Sequence, residues 1–125
     1  MFHQIHHIAI IGTNYERSRH FYVDLLGFKV VREHYREERD DYKIDLACGG
    51  QEIELFIIRQ APKRPSYPEA TGLRHLAFRV ESVEDTVCAL HAKGIRTEPI
   101  RIDAYTGGKM TFFQDPDGLP LEIHE

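Results

Sequence analysis

Tryptophan is absent from this chain, and only two cysteines, Cys48 and Cys88, occur in its 125 residues. Two thiols are neither a disulfide framework nor a zinc-finger pattern, so the fold has to rest on packing, and the thiols read as free. Long apolar runs are missing too: nothing approaches the ~20 residues that a membrane-spanning helix needs. Met1-Phe2-His3-Gln4 lacks the basic and apolar regions of a secretory leader. An excess of basic charge is also lacking, with 16 Lys and Arg against 20 Asp and Glu, which weighs against a nucleic-acid partner. What remains is ordinary for a globular domain, 42% hydrophobic and 29% charged. A chain of this length buries roughly two-thirds of its unfolded surface, enough for an independent core. The expectation is one cytoplasmic domain, with no membrane and no nucleic acid as partner.

What is present is a repeat. His6-His7-Ile8-Ala9-Ile10 opens a first stretch that closes with Glu52-Ile53-Glu54-Leu55, and Arg74-His75-Leu76-Ala77-Phe78 opens a second that closes with Leu121-Glu122-Ile123. His7 and Glu54 lie 47 residues apart, as do His75 and Glu122, and a shift of 68 residues carries one pair, and Gly50, onto the other pair and Gly118. Such self-similarity implies two copies of one supersecondary unit. The alternation around each His and Glu is that of a strand, with the polar side chain on one face and aliphatic neighbours on the other. A carboxylate between two buried aliphatics is costly unless paired. A divalent ion removes that cost, and two His with two Glu suit Zn²⁺ or Ni²⁺ best, with Co²⁺, Fe²⁺ or Mn²⁺ also compatible. The residues therefore point to a metal site of His7, Glu54, His75 and Glu122.

Taken in order, His6–Gly12 reads as a strand, and Thr13 with Glu16 as a capping box opening a helix that Gly27 ends. Phe28–Tyr35, Tyr42–Ala47 and Gln51–Ile58 read as strands, the last two joined through Cys48-Gly49-Gly50. A segment over 61–72, with prolines at 62, 65 and 68, links a first copy of about 4–60 to a second of 73–125. There Arg74–Val80 is a strand, Ser82 opens a helix that Gly94 ends, and Ile95–Arg101, Lys109–Phe113 and Leu119–His124 are strands. Asp115-Pro116-Asp117-Gly118 is a turn. Alternation turns His6 away from His7, and places His124 on the face of Glu122 as a possible support. Arg36, Arg39, Lys43, Arg74, Arg101 and Lys109 would suit an anionic small-molecule substrate, although Glu37, Glu38, Asp40 and Asp41 stand among them.

His7-Ile8-Ala9-Ile10, Glu16-Arg17-Ser18, Phe21-Tyr22, Leu25-Leu26-Gly27-Phe28, Ile53-Glu54-Leu55, His75-Leu76-Ala77-Phe78, Asp115-Pro116-Asp117-Gly118 and Leu121-Glu122 follow one another along nearly the whole chain. In this order and spacing the sequence resembles the glyoxalase I branch of the vicinal oxygen chelate superfamily. The resemblance implies an α+β fold of two βαβββ modules whose curved mixed sheets enclose a metal-binding cavity, one divalent ion per site, and a homodimer. It implies lyase or isomerase chemistry on a small α-oxo substrate through a metal-bound enediolate. Glu122 is then the base, with Glu54 the second choice. Glutathione-using relatives tend to carry Arg four residues after the first His and Asn four after the first Glu. Ile11 and Ile58 stand there, which argues against glutathione as part of the substrate. The competing readings are another metalloenzyme of the superfamily, such as an epimerase, thiol transferase or dioxygenase, and a non-catalytic protein of the bleomycin-resistance kind.

Overall fold

Each copy of the repeat closes its own sheet. The computed structural model describes residues 1–125, and the chain forms two compact units, Met1–Pro62 and Lys63–Glu125. The first contains β1 (His7–Gly12), α1 (Tyr15–Arg19), β2 (Lys29–Arg36), β3 (Asp41–Cys48) and β4 (Gln51–Ile57), and the second β5 (Leu76–Arg79), α2 (Val83–Ala92), β6 (Arg101–Ile102), β7 (Lys109–Gln114) and β8 (Pro120–His124). Strand order is β1-β4-β3-β2 in one sheet and β5-β8-β7-β6 in the other. β1 runs parallel to β4 and β5 to β8, while every other pair is antiparallel. These are two mixed-sheet βαβββ modules, the α+β fold expected, with open sheets rather than a closed barrel.

Alternation decides which face of each sheet is core. In β4, Ile53, Leu55 and Ile57 are buried, and they belong to a core with Ile10, Ile44, Leu46, Phe21 and Tyr22. In the second unit, Leu121, Ile123 and Phe113 form the core with Val83, Leu90 and Ile95. Each such side chain contributes roughly 1.5–3 kcal/mol on leaving water. The opposite face of each sheet carries the His and Glu.

Local corrections follow from simple causes. Asn14, not Thr13, caps α1: its side-chain oxygen accepts from the Arg17 amide at 2.9 Å. Glu16 thus falls one position short of a capping box. Beyond Arg19 the helix continues as a π-turn over His20–Leu25, and Gly27 ends it at φ 82° as expected. Ser82 caps α2, accepting from the Asp85 amide. The strand expected over Ile95–Arg101 shrinks to Arg101–Ile102. The Glu98 amide still donates to the Phe112 carbonyl at 2.8 Å, but Pro99 has no N–H to continue the ladder.

Candidate metal centre

β1 and β4 pair so that His7 aligns with Glu52 and Ala9 with Glu54. The small Ala9 leaves His7 room to lean toward Glu54, and His7 Nε2 lies 3.6 Å from Glu54 Oε2, with side chains 41% and 18% exposed. The second sheet repeats the arrangement more tightly. Leu76 aligns with Leu121 and Ala77 with Glu122, while His75 sits one residue before β5 rather than within it. His75 Nε2 is 2.8 Å from Glu122 Oε2, with side chains 27% and 9% exposed.

An ion held at 2.0–2.2 Å by two donors keeps them about 3 Å apart at a right angle and about 3.5 Å apart at a tetrahedral one. Both pairs fit that span, and their imidazole and carboxylate donors suit a borderline divalent ion. Each sheet supplies two such donors, and no cluster of three or more is gathered.

The surroundings of the pairs differ. In the first sheet, Lys43 Nζ donates to Glu54 Oε1 at 2.9 Å and to Asp45 Oδ1 at 2.6 Å. Arg32 donates to the other oxygen of Asp45 at 2.8 Å and to Glu52 at 2.5 Å. Asp45 is only 3% exposed. Burial pushes its carboxyl up, but hydrogen bonds from Lys43 and Arg32 outweigh that and leave it below the usual range. Burial likewise works against the Lys43 ammonium, and Asp45 and Glu54 more than offset it. In the second sheet, Phe112 occupies the position opposite Glu122. The His75 ring meets Phe112 edge-on at 5.1 Å, and the Arg101 guanidinium lies 5.5 Å above the same ring. The ion-pair partner of Glu122 is His75, with no lysine or arginine in the position that Lys43 takes beside Glu54.

Two further histidines stand beside the pairs. His6 precedes β1, so strand alternation does not govern it. Its Nδ1 lies 2.8 Å from His7 Nδ1, on the ring nitrogen of His7 that faces away from Glu54. His124 Nε2 is 3.2 Å from Asp103 Oδ2, and its Nδ1 is 2.5 Å from the Glu125 carbonyl. That carbonyl first and Asp103 second raise the imidazole above its usual range. Gly108 packs so closely here that a Cβ would come within 2.8 Å of the His124 ring. His124 therefore ties down the 103–108 loop instead of supporting Glu122.

Cations expected to await an anionic substrate are mostly engaged. Arg36 grips Asp41 through two bonds of 2.6 Å. Arg74 meets Glu69 at 2.6 Å, Arg101 meets Glu98 at 3.1 Å, and Lys109 meets Glu84. The Lys43–Asp45–Arg32 network has no local sequence pattern that announces it. Lys43 and Asp45 stand two residues apart, and so on one face of a strand, but only the register opposite Glu54 gives that spacing meaning.

The profile of the Glyoxalase/Bleomycin resistance protein/Dioxygenase superfamily matches residues 4–123. The chain is 58% identical over 122 residues to YwkD of Bacillus subtilis (strain 168), a protein described as uncharacterized, covering 97% of this chain and 95% of that one. A crystal structure of a glyoxalase family protein from Enterococcus faecalis superposes with a TM-score of 0.94 at 59% identity, covering 99% of this chain and 98% of that one. A lactoylglutathione lyase of Haemophilus influenzae (strain ATCC 51907 / DSM 11121 / KW20 / Rd) is 31% identical over 135 residues, covering 98% of this chain and 92% of that protein.

Proposed function

The chain belongs to the Glyoxalase/Bleomycin resistance protein/Dioxygenase superfamily, and from that premise we propose that it is a divalent-metal-dependent lyase or isomerase of the glyoxalase I kind. The observation that carries this reading is the duplicated pair, His7 with Glu54 and His75 with Glu122, each spaced to share one ion. Two donors do not make a metal site, so the ion, Zn²⁺ or Ni²⁺ by preference, draws on both pairs, from one chain or from two chains of a homodimer. When bound it supplies Lewis acidity to a carbonyl oxygen of a small α-oxo substrate. Glu122 is the base: it takes a proton from one carbon and returns it to the neighbouring carbon. It is nearly buried and is paired with His75 alone, whereas one oxygen of Glu54 is already committed to Lys43.

Glutathione is not part of the proposed substrate. Ile11 is 54% exposed on the same strand face as His7 and offers no polar group at the position where glutathione-using relatives tend to carry Arg.

The test is metal content of wild type, Glu122→Ala and His75→Ala, followed by Ni²⁺ or Zn²⁺ re-addition and a hemithioacetal isomerisation assay. About one ion per two His–Glu pairs in wild type, lost in both variants, is the expected result. A wild type that takes up no ion after re-addition overturns the reading. Full turnover of the glutathione adduct overturns the exclusion of glutathione.

A further inference from the structure

The face around Glu54 holds a cation network that its counterpart lacks. Asp45 stands opposite Glu54 and Phe112 opposite Glu122. Two residues earlier on the same strand stands Lys43 in the first sheet and Met110 in the second. The second sheet therefore shows that this fold accepts an apolar pair at these positions. An ion network with one buried carboxylate and cations that stay 24% and 49% exposed adds little stability, since desolvation of Asp45 and solvent screening of Lys43 and Arg32 offset much of the attraction. Its presence beside only one of the two carboxylates calls for a local role.

We propose that Lys43 is a positioning residue that limits Glu54 to binding the ion through one oxygen; this rests on the metal reading given above. Glu54 Oε1 is taken by the ammonium at 2.9 Å, while Oε2 lies toward His7 Nε2. An ion approaching Oε1 would meet the charge of Lys43 at close range, whereas Oε2 is open to it beside the imidazole. Lys43 is not free to swing away. Asp45 holds it at 2.6 Å and is itself held by Arg32 from its other oxygen. The ammonium also lies 5.6 Å from the centre of the Phe56 ring. Glu122 has no such restraint, so the two carboxylates are unequal: Glu54 is a fixed single-oxygen ligand, and Glu122 is the one able to change its attachment.

The experiment is Mn²⁺ binding to full-length wild type, Lys43→Met and Lys43→Arg. Affinity is read by titration, and the water on the ion by the water-proton relaxation enhancement per bound Mn²⁺. In Lys43→Met both oxygens of Glu54 become available. Mn²⁺ then binds about tenfold more tightly, because a nearby positive charge is gone, and the enhancement falls by one water's share as the second oxygen displaces a water. Lys43→Arg keeps a cation there and keeps the wild-type enhancement. Should Lys43→Met not fold, Lys43→Met/Asp45→Phe takes its place, copying the Met110 and Phe112 of the second sheet. Unchanged affinity and enhancement in the folded variant, or weaker binding, overturns the proposal and makes Lys43 a structural charge only. A wild type that binds neither Mn²⁺ nor Co²⁺ overturns the metal reading itself, and this inference with it.

Discussion

Opposite Glu54 stands Asp45, clamped by Lys43 and Arg32; opposite Glu122, at the same place in the second sheet, stands Phe112. The histidines differ as well. His7 has His6 at its far nitrogen, whereas His75 has the edge of Phe112. The two units thus share a His–Glu pair and an apolar core while their open faces differ, polar in the first sheet and aromatic in the second. A polar cradle fixes a carboxylate by direct bonds. The aromatic one brings no lysine or arginine to the carboxylate, whose Oε2 meets His75 Nε2 at 2.8 Å. Under the proposed function, this difference corresponds to holding by the first sheet and chemistry by the second.

The sharpest way to break that assignment is to remove each carboxylate in turn. Glu122→Ala is expected to lower turnover by about 10²–10⁴-fold beyond any effect on metal occupancy, the range for loss of a general base. Glu54→Ala is expected to act through occupancy, so excess Ni²⁺ should restore much of its turnover and none of that of Glu122→Ala. Equal rescue of both variants in a metal-saturation series would dissolve the distinction. The cores should show no such asymmetry. Ile53 and Leu121 occupy equivalent positions and are both almost fully buried. Ile53→Ala and Leu121→Ala should each cost about 2–5 kcal/mol in denaturant unfolding, the usual range for emptying such a site. A large gap between them would mean that divergence had reached the interior.

Much of this plan was legible in the sequence because it depends on short-range periodicity. Alternation around His7, Glu54, His75 and Glu122 set the open faces, Ser82 announced α2, and Gly27 and Asp115–Gly118 marked the ends of elements. What escaped depends on strand pairing. That Asp45 faces Glu54, or that Lys43 reaches the same carboxylate, follows from the β3–β4 register, which no local pattern states. Alternation turns His6 away from His7, but His6 lies one residue before β1, and its Nδ1 is 2.8 Å from His7 Nδ1. The extended pattern of Ile95–Arg101 predicts a strand, but Pro99 has no N–H to donate, and the strand is confined to Arg101–Ile102.

A smaller effect separates the two histidines. If His7 binds through Nε2, its Nδ1–H donates to His6 Nδ1, and this bond fixes its tautomer and ring orientation. His6→Ala should therefore weaken Zn²⁺ binding by about 10–100-fold, as loss of such supporting bonds does. His6→Asn, which retains an acceptor, should recover part of it. Phe112→Ala should leave the tautomer of His75 alone and weaken binding less. Competition titration against a chromophoric chelator decides between these outcomes, and equal losses from His6→Ala and Phe112→Ala would remove the contrast.

The smallest expected difference is a dependence on pH, and it compares one acid from each unit. Asp41 is held below the usual carboxylate range first by its bond to Arg36, and Asp103 first by the Tyr105 amide and then by His124. Both values are depressed in the folded protein. The stability they provide is therefore complete above the unfolded carboxylate value, about 3.9, and is lost as pH falls from there through the lower folded values. Thermal melts across that acid window should be flatter in Asp41→Asn and in Asp103→Asn than in wild type. Salt separates the two. The Arg36–Asp41 attraction is between full charges, with the carboxylate 7% and the guanidinium 23% exposed, and should weaken in part at high ionic strength. The Asp103 bonds to backbone amides should not fade and only the share that His124 supplies should, so the wild-type difference from Asp41→Asn should shrink by the larger fraction when the melts are repeated in about 1 M salt. If both differences shrink alike, Asp103 is held by charge as Asp41 is, and the loop beside His124 is no more rigidly built than the turn beside Arg36.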